Sequence, residues 1–259
     1  MTDLLSYSLT DFVPFSWTTY QRLLERYDAR FWPAVVLGFG IGLVTLGLLG
    51  GSVRAPSGLI AATRFLRLSR LTSRLGSGSA AGPLLIVFGL CWLWIAWAFH
   101  WQSYALLNWA GAYFAGAFVL QGGLLIGSGI RMAGRPVNAD WDALARAGYG
   151  LVAFAVIGMP LIGSLSGFWL EGRAWLGLEL FGSAPDPTAL ATLGLIAVLR
   201  PPFAWMLALL PTLWCLISAA TLAGLGDPLW PLQPLAIVLT VLTALLVRMT
   251  RVTRFQGRR

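Results

Sequence analysis

Hydrophobic positions run along this chain in long blocks, separated by short clusters of arginine and acid. A helix needs roughly 20 apolar residues to cross a hydrocarbon core of about 30 Å, so windows free of charge mark the crossings. Arg30 and Arg54 frame the first window; residues 75–130 contain no Asp, Glu or Arg and hold two crossings, joined near His100 and Tyr104. Arg146 and Glu171 frame a fourth, 187–199 is a short fifth, and 202–225 and 229–247 are the last two. The pattern predicts an all-α fold, a polytopic membrane helix bundle of about seven helices at 32–53, 82–100, 105–130, 147–170, 187–199, 202–225 and 229–247. Three regions follow: an extracytoplasmic segment 1–31, the membrane bundle 32–247 and a basic cytoplasmic tail 248–259.

Local patterns refine this plan. Tyr20, Leu23, Leu24, Tyr27 and Phe31 recur at helical spacing opposite Arg22, Glu25 and Arg26, and 18–21 has the form of a capping box. A short interfacial helix is therefore predicted within 1–31. Asp186 reads as the N-cap of the fifth helix with Pro187 in its first turn, and Pro201 with Pro202 ends it. At 1.5 Å per residue, 187–199 reaches only about 20 Å, so either the bilayer thins locally or the helix begins below the outer surface. In the second case Asp186 would lie at membrane depth, with the apolar segment 174–183 dipping in beside it and carrying Glu179. Gly38 with Gly42, Gly123 with Gly127, and Gly111 with Ala115 are each four apart and are expected to form close-packing faces.

Composition excludes the alternatives to a membrane protein. Of 259 residues 58% are hydrophobic and 11% charged, more apolar surface than one soluble core hides. The net charge of +8 is eighteen arginines, with no lysine, set against ten acids, and the bilayer, not nucleic acid, accounts for where the arginines fall. Fourteen would lie on the side of 54–80 and of the tail, which the positive-inside rule makes cytoplasmic. The expectation is a multi-pass protein of the bacterial inner membrane, N-terminus outside and C-terminus inside. Arg64, Arg67, Arg70 and Arg74 share one face of the first cytoplasmic loop and are expected to contact anionic lipids.

Catalytic chemistry is thin. One histidine cannot build a histidine-rich metal site or ligate haem through two imidazoles, Cys91 and Cys215 sit in apolar runs, and no phosphate-binding or nucleophile motif occurs. No catalytic residue, metal or cofactor is expected. The unusual segment is 92–114, where Trp94, Trp97, Trp101 and Tyr104 recur at spacings of three and four beside His100, Asn108 and Trp109. Such a face is either an interfacial aromatic belt or one wall of a pocket for a flat or cationic ligand. His100 is a candidate partner for Asp186; a transported cation is another.

The stretches WIAWAFH, YALLNWAGAYFAGAFVLQ, LFGSAPDPTALATLG and PTLWCLISAATL resemble a family of bacterial integral membrane proteins, domain of unknown function 6064. The opening SYSLTDFVPFSWTTYQRLLERYDARFWPA is also similar, so the resemblance runs from Ser6 to Leu222 and is weakest over 54–80. It implies that the His100 segment, Gln121 and the APDPT turn belong to a shared pattern, and it carries no activity. The candidate ligand-binding residues are Trp94, Trp97, His100, Trp101, Tyr104, Asn108, Trp109, Gln121, Glu179 and Asp186. The expected function is non-enzymatic: binding or moving a small flat or cationic solute through an outward-facing aromatic pocket. The alternative is an accessory subunit packed against a larger membrane complex.

Overall fold

A computed structural model describes residues 13–51, 80–135, 142–169 and 177–242. Helices and turns account for these residues, with no strand among them. The elements are α1 (Trp17–Gly51), α2 (Ala81–Ile95, continued by a π turn, Ala96–Trp101), α3 (Ala110–Arg131), α4 (Ala143–Ala153, continued through a π turn, Phe154–Gly158, into Met159–Trp169), α5 (Pro185–Leu199), α6 (Ala204–Gly224) and α7 (Leu232–Leu242). Five are long and apolar enough to cross a membrane, while α5 and the described part of α7 are shorter. The protein is a helical membrane bundle. Arg64, Arg67, Arg70 and Arg74, residues 1–12 and the tail lie outside the described residues.

The expected interfacial helix and the first crossing form one kinked rod. Pro33 lacks an N–H, and its ring crowds the carbonyl four residues back, so the backbone leaves helical geometry at Phe31 (φ −117°, ψ 20°). Before the kink, Tyr20, Leu23, Leu24 and Tyr27 are buried while Arg22, Arg26 and Arg30 are exposed, the amphipathic pattern read from the sequence. The cap is Ser16, whose Oγ accepts from Thr19 N at 3.3 Å, rather than Thr18. The end of the bundle carrying this rod's start is called proximal and the opposite end distal.

Glycine sets the closest helix contacts, though not always the predicted ones. A Cβ on Gly82 would stand 2.6 Å from Gly129 O, and one on Gly89 2.7 Å from Gly122 O, so α2 and α3 pack with their backbones almost touching. Gly123 and Gly127 face open space, because α3 presents Gly122 and Gly129 to its neighbour. Gly111 abuts Ala105 in the preceding turn and joins no second helix. Gly38 and Gly42 do serve as predicted: they receive Phe181 O and the Phe181 ring.

That contact explains the short fifth helix. Phe181 rests on positions five and nine residues past Pro33, about 8 and 14 Å along α1. The turn before α5 therefore dips well into the bundle from the proximal end, and every residue of 181–192 is buried. Irregular backbone at such depth must find its partners in protein. Gly182 N donates to Thr188 Oγ1 (2.8 Å), Tyr27 Oη donates to Ser183 O (2.9 Å) and Ala184 N donates to Leu180 O (2.9 Å). Trp92 Nε1 then ties α2 to Thr192 Oγ1 at 2.9 Å. At the distal end the Arg200 guanidinium pairs with Asp142, whose Oδ1 also accepts from Ala145 N and caps α4.

Candidate functional site

Asp186 is the acid that this descent carries inside. It is 1% exposed and sits in the first turn of α5, but Ala184 occupies the N-cap position, so the expected capping role is corrected. With Pro185 and Pro187 on either side removing two N–H donors, the carboxylate turns away from its own helix. Trp214 Nε1 donates to Oδ1 at 2.7 Å, Ser218 Oγ donates to Oδ2 at 2.6 Å, and Gln233 Nε2 also donates to Oδ2. Three neutral donors thus hold the acid, and no cation faces it among the described residues. Trp214 and Ser218 lie one turn apart on α6, and Gln233 is the second residue of α7.

His100 is not the partner expected for Asp186. Its ring is fully buried among Phe99, Tyr104, Phe114, Phe118 and Trp214, and neither ring nitrogen has a hydrogen-bond partner among the described residues. Trp214 stands between the two groups: its ring centroid is 4.8 Å from that of His100, while its N–H binds Asp186.

The tryptophan face predicted from spacings of three and four does not remain a single face. The π turn Ala96–Trp101 widens the helical repeat there, so residues counted onto one side fan apart. Trp94 and Trp97 pack edge-on against Phe31 at the kink of α1, and Trp94 Nε1 donates to Tyr27 Oη at 3.2 Å. Tyr104 turns inward beside His100. Trp101 (57% exposed) and Trp109 (77%) face outward, and Asn108 Oδ1 accepts from Ala110 N at the start of α3.

Gln121 has a structural assignment. Pro211 leaves Leu207 O without its helical N–H donor, and the buried Gln121 Nε2 supplies one across the α3–α6 contact at 2.8 Å. The bond sets this residue apart from the Asp186 cluster.

Glu179 shares a cleft with Gln233, a hydrogen-bond partner of Asp186. It accepts from Tyr20 Oη at 3.3 Å and, with Asp227, Gly177, Leu222 and Gln233, lines a cleft of about 50 Å³ between α4, α6 and α7. Asp227 Oδ1 accepts from Leu229 N. Gln233 joins cleft to core: it is 2% exposed, its amide nitrogen binds Asp186, and its Oε1 has no partner. Of the predicted residues, then, Glu179 lines the cleft and Asp186 binds Gln233 of the cleft wall, His100 and Tyr104 form the aromatic packing behind Trp214, and the remaining tryptophans with Asn108 and Gln121 lie elsewhere. Trp214, Ser218 and Gln233 are the members that sequence reasoning missed. Their signal was weak but present, as Ser218 and Gln233 are polar interruptions in apolar windows and Trp214 stands four residues before Ser218.

Comparison with curated proteins and with solved structures gives no match. The family match covers residues 58–256, which takes in most of 54–80 and of 248–259 and leaves out the opening segment, a different extent from the resemblance over Ser6 to Leu222. Over that span the chain belongs to the family of unknown function DUF6064.

Proposed function

We propose that this protein binds a small inorganic cation at Asp186 and moves it across the bacterial inner membrane, with the proximal end outside. One observation carries the reading: a carboxylate buried in a membrane bundle with only neutral donors among the described residues, joined through Gln233 to an acid-lined cleft. Ionisable groups at membrane depth are expensive and mark ion pathways or proton relays. Size narrows the solute. At about 10–15 Å³ for each water-sized particle, the cleft admits a few waters or one small ion, far less than the 300 Å³ or more that a drug-sized organic ligand requires. The unpartnered Gln233 Oε1, Ser218 Oγ and Asp186 are oxygen ligands of the hard type that such a cation takes. The flat solute and the aromatic pocket are accordingly dropped from the proposal.

The second reading, an accessory subunit, draws on the exposed side chains of Trp97, Trp101, Trp109 and Tyr113. Flux separates the two. Purified protein in proteoliposomes loaded with dyes for H⁺, Na⁺ and K⁺ should pass one of these ions faster than empty liposomes. No flux for any of the three, together with a stable larger complex retained on purification in mild detergent, would favour the accessory role.

A further inference from the structure

The proximal end holds a second feature that the cation path does not use. Arg22, Arg26 and Arg30 follow one another at four-residue spacing on the exposed side of α1 and line a groove of about 380 Å³ against the α2–α3 turn. Four residues rise about 6 Å, so the three guanidinium groups belong to a row about 12 Å long. Thr19, Gln102 and Ser103 add polar groups, and among the described residues no carboxylate lines the groove. The acids nearest in sequence are directed elsewhere or sit on another side: Asp28 Oδ2 accepts from Gly177 N at 2.9 Å, and Glu25 is not among the lining residues. Arg30 rests over the Phe31 ring at 5.1 Å, and none of the three arginines has a carboxylate partner among the described residues.

We infer that this groove binds the phosphate of an anionic phospholipid in the leaflet at the proximal end. Guanidinium recognises phosphate through paired N–H bonds, which gives the charge a geometric reason. Position points to lipid instead of a dissolved anion. The groove is also lined by Leu23, Leu106 (83% exposed) and Leu107, and the outward-facing Trp101 directly precedes Gln102 of its wall, an apolar and aromatic setting of the kind found at headgroup level. A phosphate held by the arginines would leave its acyl chains free to follow these leucines and the exposed Trp97 into the hydrocarbon. If the proximal end is outside, these arginines also stand on the side where the positive-inside rule leaves few, and a bound anion offsets that placement.

Native mass spectrometry of the full chain in detergent, titrated with phosphatidylglycerol or phosphatidylcholine, tests this. The wild type should retain phosphatidylglycerol preferentially, and Arg22→Gln with Arg26→Gln and Arg30→Gln should weaken its binding roughly a hundredfold, as expected for three interfacial charges. Leu106→Asp places an acid at the mouth from a different element and should weaken binding about fivefold to tenfold. Arg131→Gln with Arg135→Gln at the distal end should leave the proximal site's affinity within about twofold. The inference is overturned if the proximal variants bind phosphatidylglycerol like the wild type, if the distal pair causes the same loss, or if millimolar inorganic phosphate displaces the lipid, which would mark a site for the free anion. Flux of H⁺, Na⁺ or K⁺ is a separate readout, so failure of either proposal leaves the other standing.

Discussion

The bond from Gln121 to Leu207 O can be tested by restoring the donor that Pro211 removes. In the wild type, Gln121→Leu deletes the 2.8 Å bond and leaves a buried carbonyl without a partner. In a dry interior such a loss costs about 1–3 kcal/mol, although side-chain hydrogen bonds between membrane helices average only about 0.6 and reach about 1.7. The same substitution also removes Gln121 Oε1, a buried acceptor with no partner, and this gain opposes the loss. The single-variant effect is therefore a poor measure. Pro211→Ala supplies the missing N–H, so Leu207 O keeps a donor whether or not Gln121 is present, while the Oε1 contribution is common to both backgrounds and cancels. A double-mutant cycle should give a coupling of about 1 kcal/mol, with Gln121→Leu less costly in the Pro211→Ala background. Reversible unfolding in mixed micelles of rising sodium dodecyl sulfate content, followed by tryptophan fluorescence, measures all four corners. Coupling indistinguishable from zero would refute the assignment of Gln121 as the replacement donor.

Further expectations follow from the same packing. Gly38→Ala would put a Cβ 2.7 Å from Phe181 O and should destabilise the bundle by about 1–3 kcal/mol in the same unfolding assay, whereas Gly123→Ala and Gly127→Ala, in open space, should stay within about 0.5 kcal/mol. If Gly123→Ala proved the costlier change, the α2–α3 packing described above would be wrong. Thr192→Val keeps the shape but strands the Trp92 N–H, and should cost about 1 kcal/mol; an unchanged midpoint would mean the bond contributes nothing. For orientation, a cysteine at Thr2 should react with an impermeant maleimide added outside cells, and one at Gln256 should react only after lysis; the reverse pattern would invert the bundle.

Where the chain keeps a regular period, its sequence was a good guide to its structure. The charge-free windows located the helices, and the amphipathic repeat of Tyr20, Leu23, Leu24 and Tyr27 marked the buried side of α1, because both signals depend only on 3.6-residue geometry. The misreadings sit where that geometry changes. A π turn at Ala96–Trp101 dispersed the tryptophans, and nothing in local composition announces such a turn. The choice between Gly122 and Gly123 as the packing position is set by the facing helix, so it is a tertiary property. The length of 187–199 offered a recessed Asp186 as one of two readings, yet the acid's partners lie 28 to 47 residues away on α6 and α7. His100 was one candidate partner from its place on the turn between the second and third helices, and a transported cation was another; the indole of Trp214 between His100 and Asp186 is a matter of packing that spacing does not encode.

The cation pathway stands or falls on Asp186→Asn. The substitution removes the charge and keeps the shape. Trp214 N–H can still donate to the amide oxygen, the Ser218 hydroxyl can turn to accept, and the Gln233 amide can flip so that its unpartnered Oε1 accepts from the new NH₂ group. The variant should therefore remain monodisperse with an unfolding midpoint near that of the wild type. Its ion flux in proteoliposomes should fall to that of empty liposomes. Flux equal to the wild type from this folded variant would show that the buried carboxylate is a structural tie between α5, α6 and α7 and not the cation's binding group.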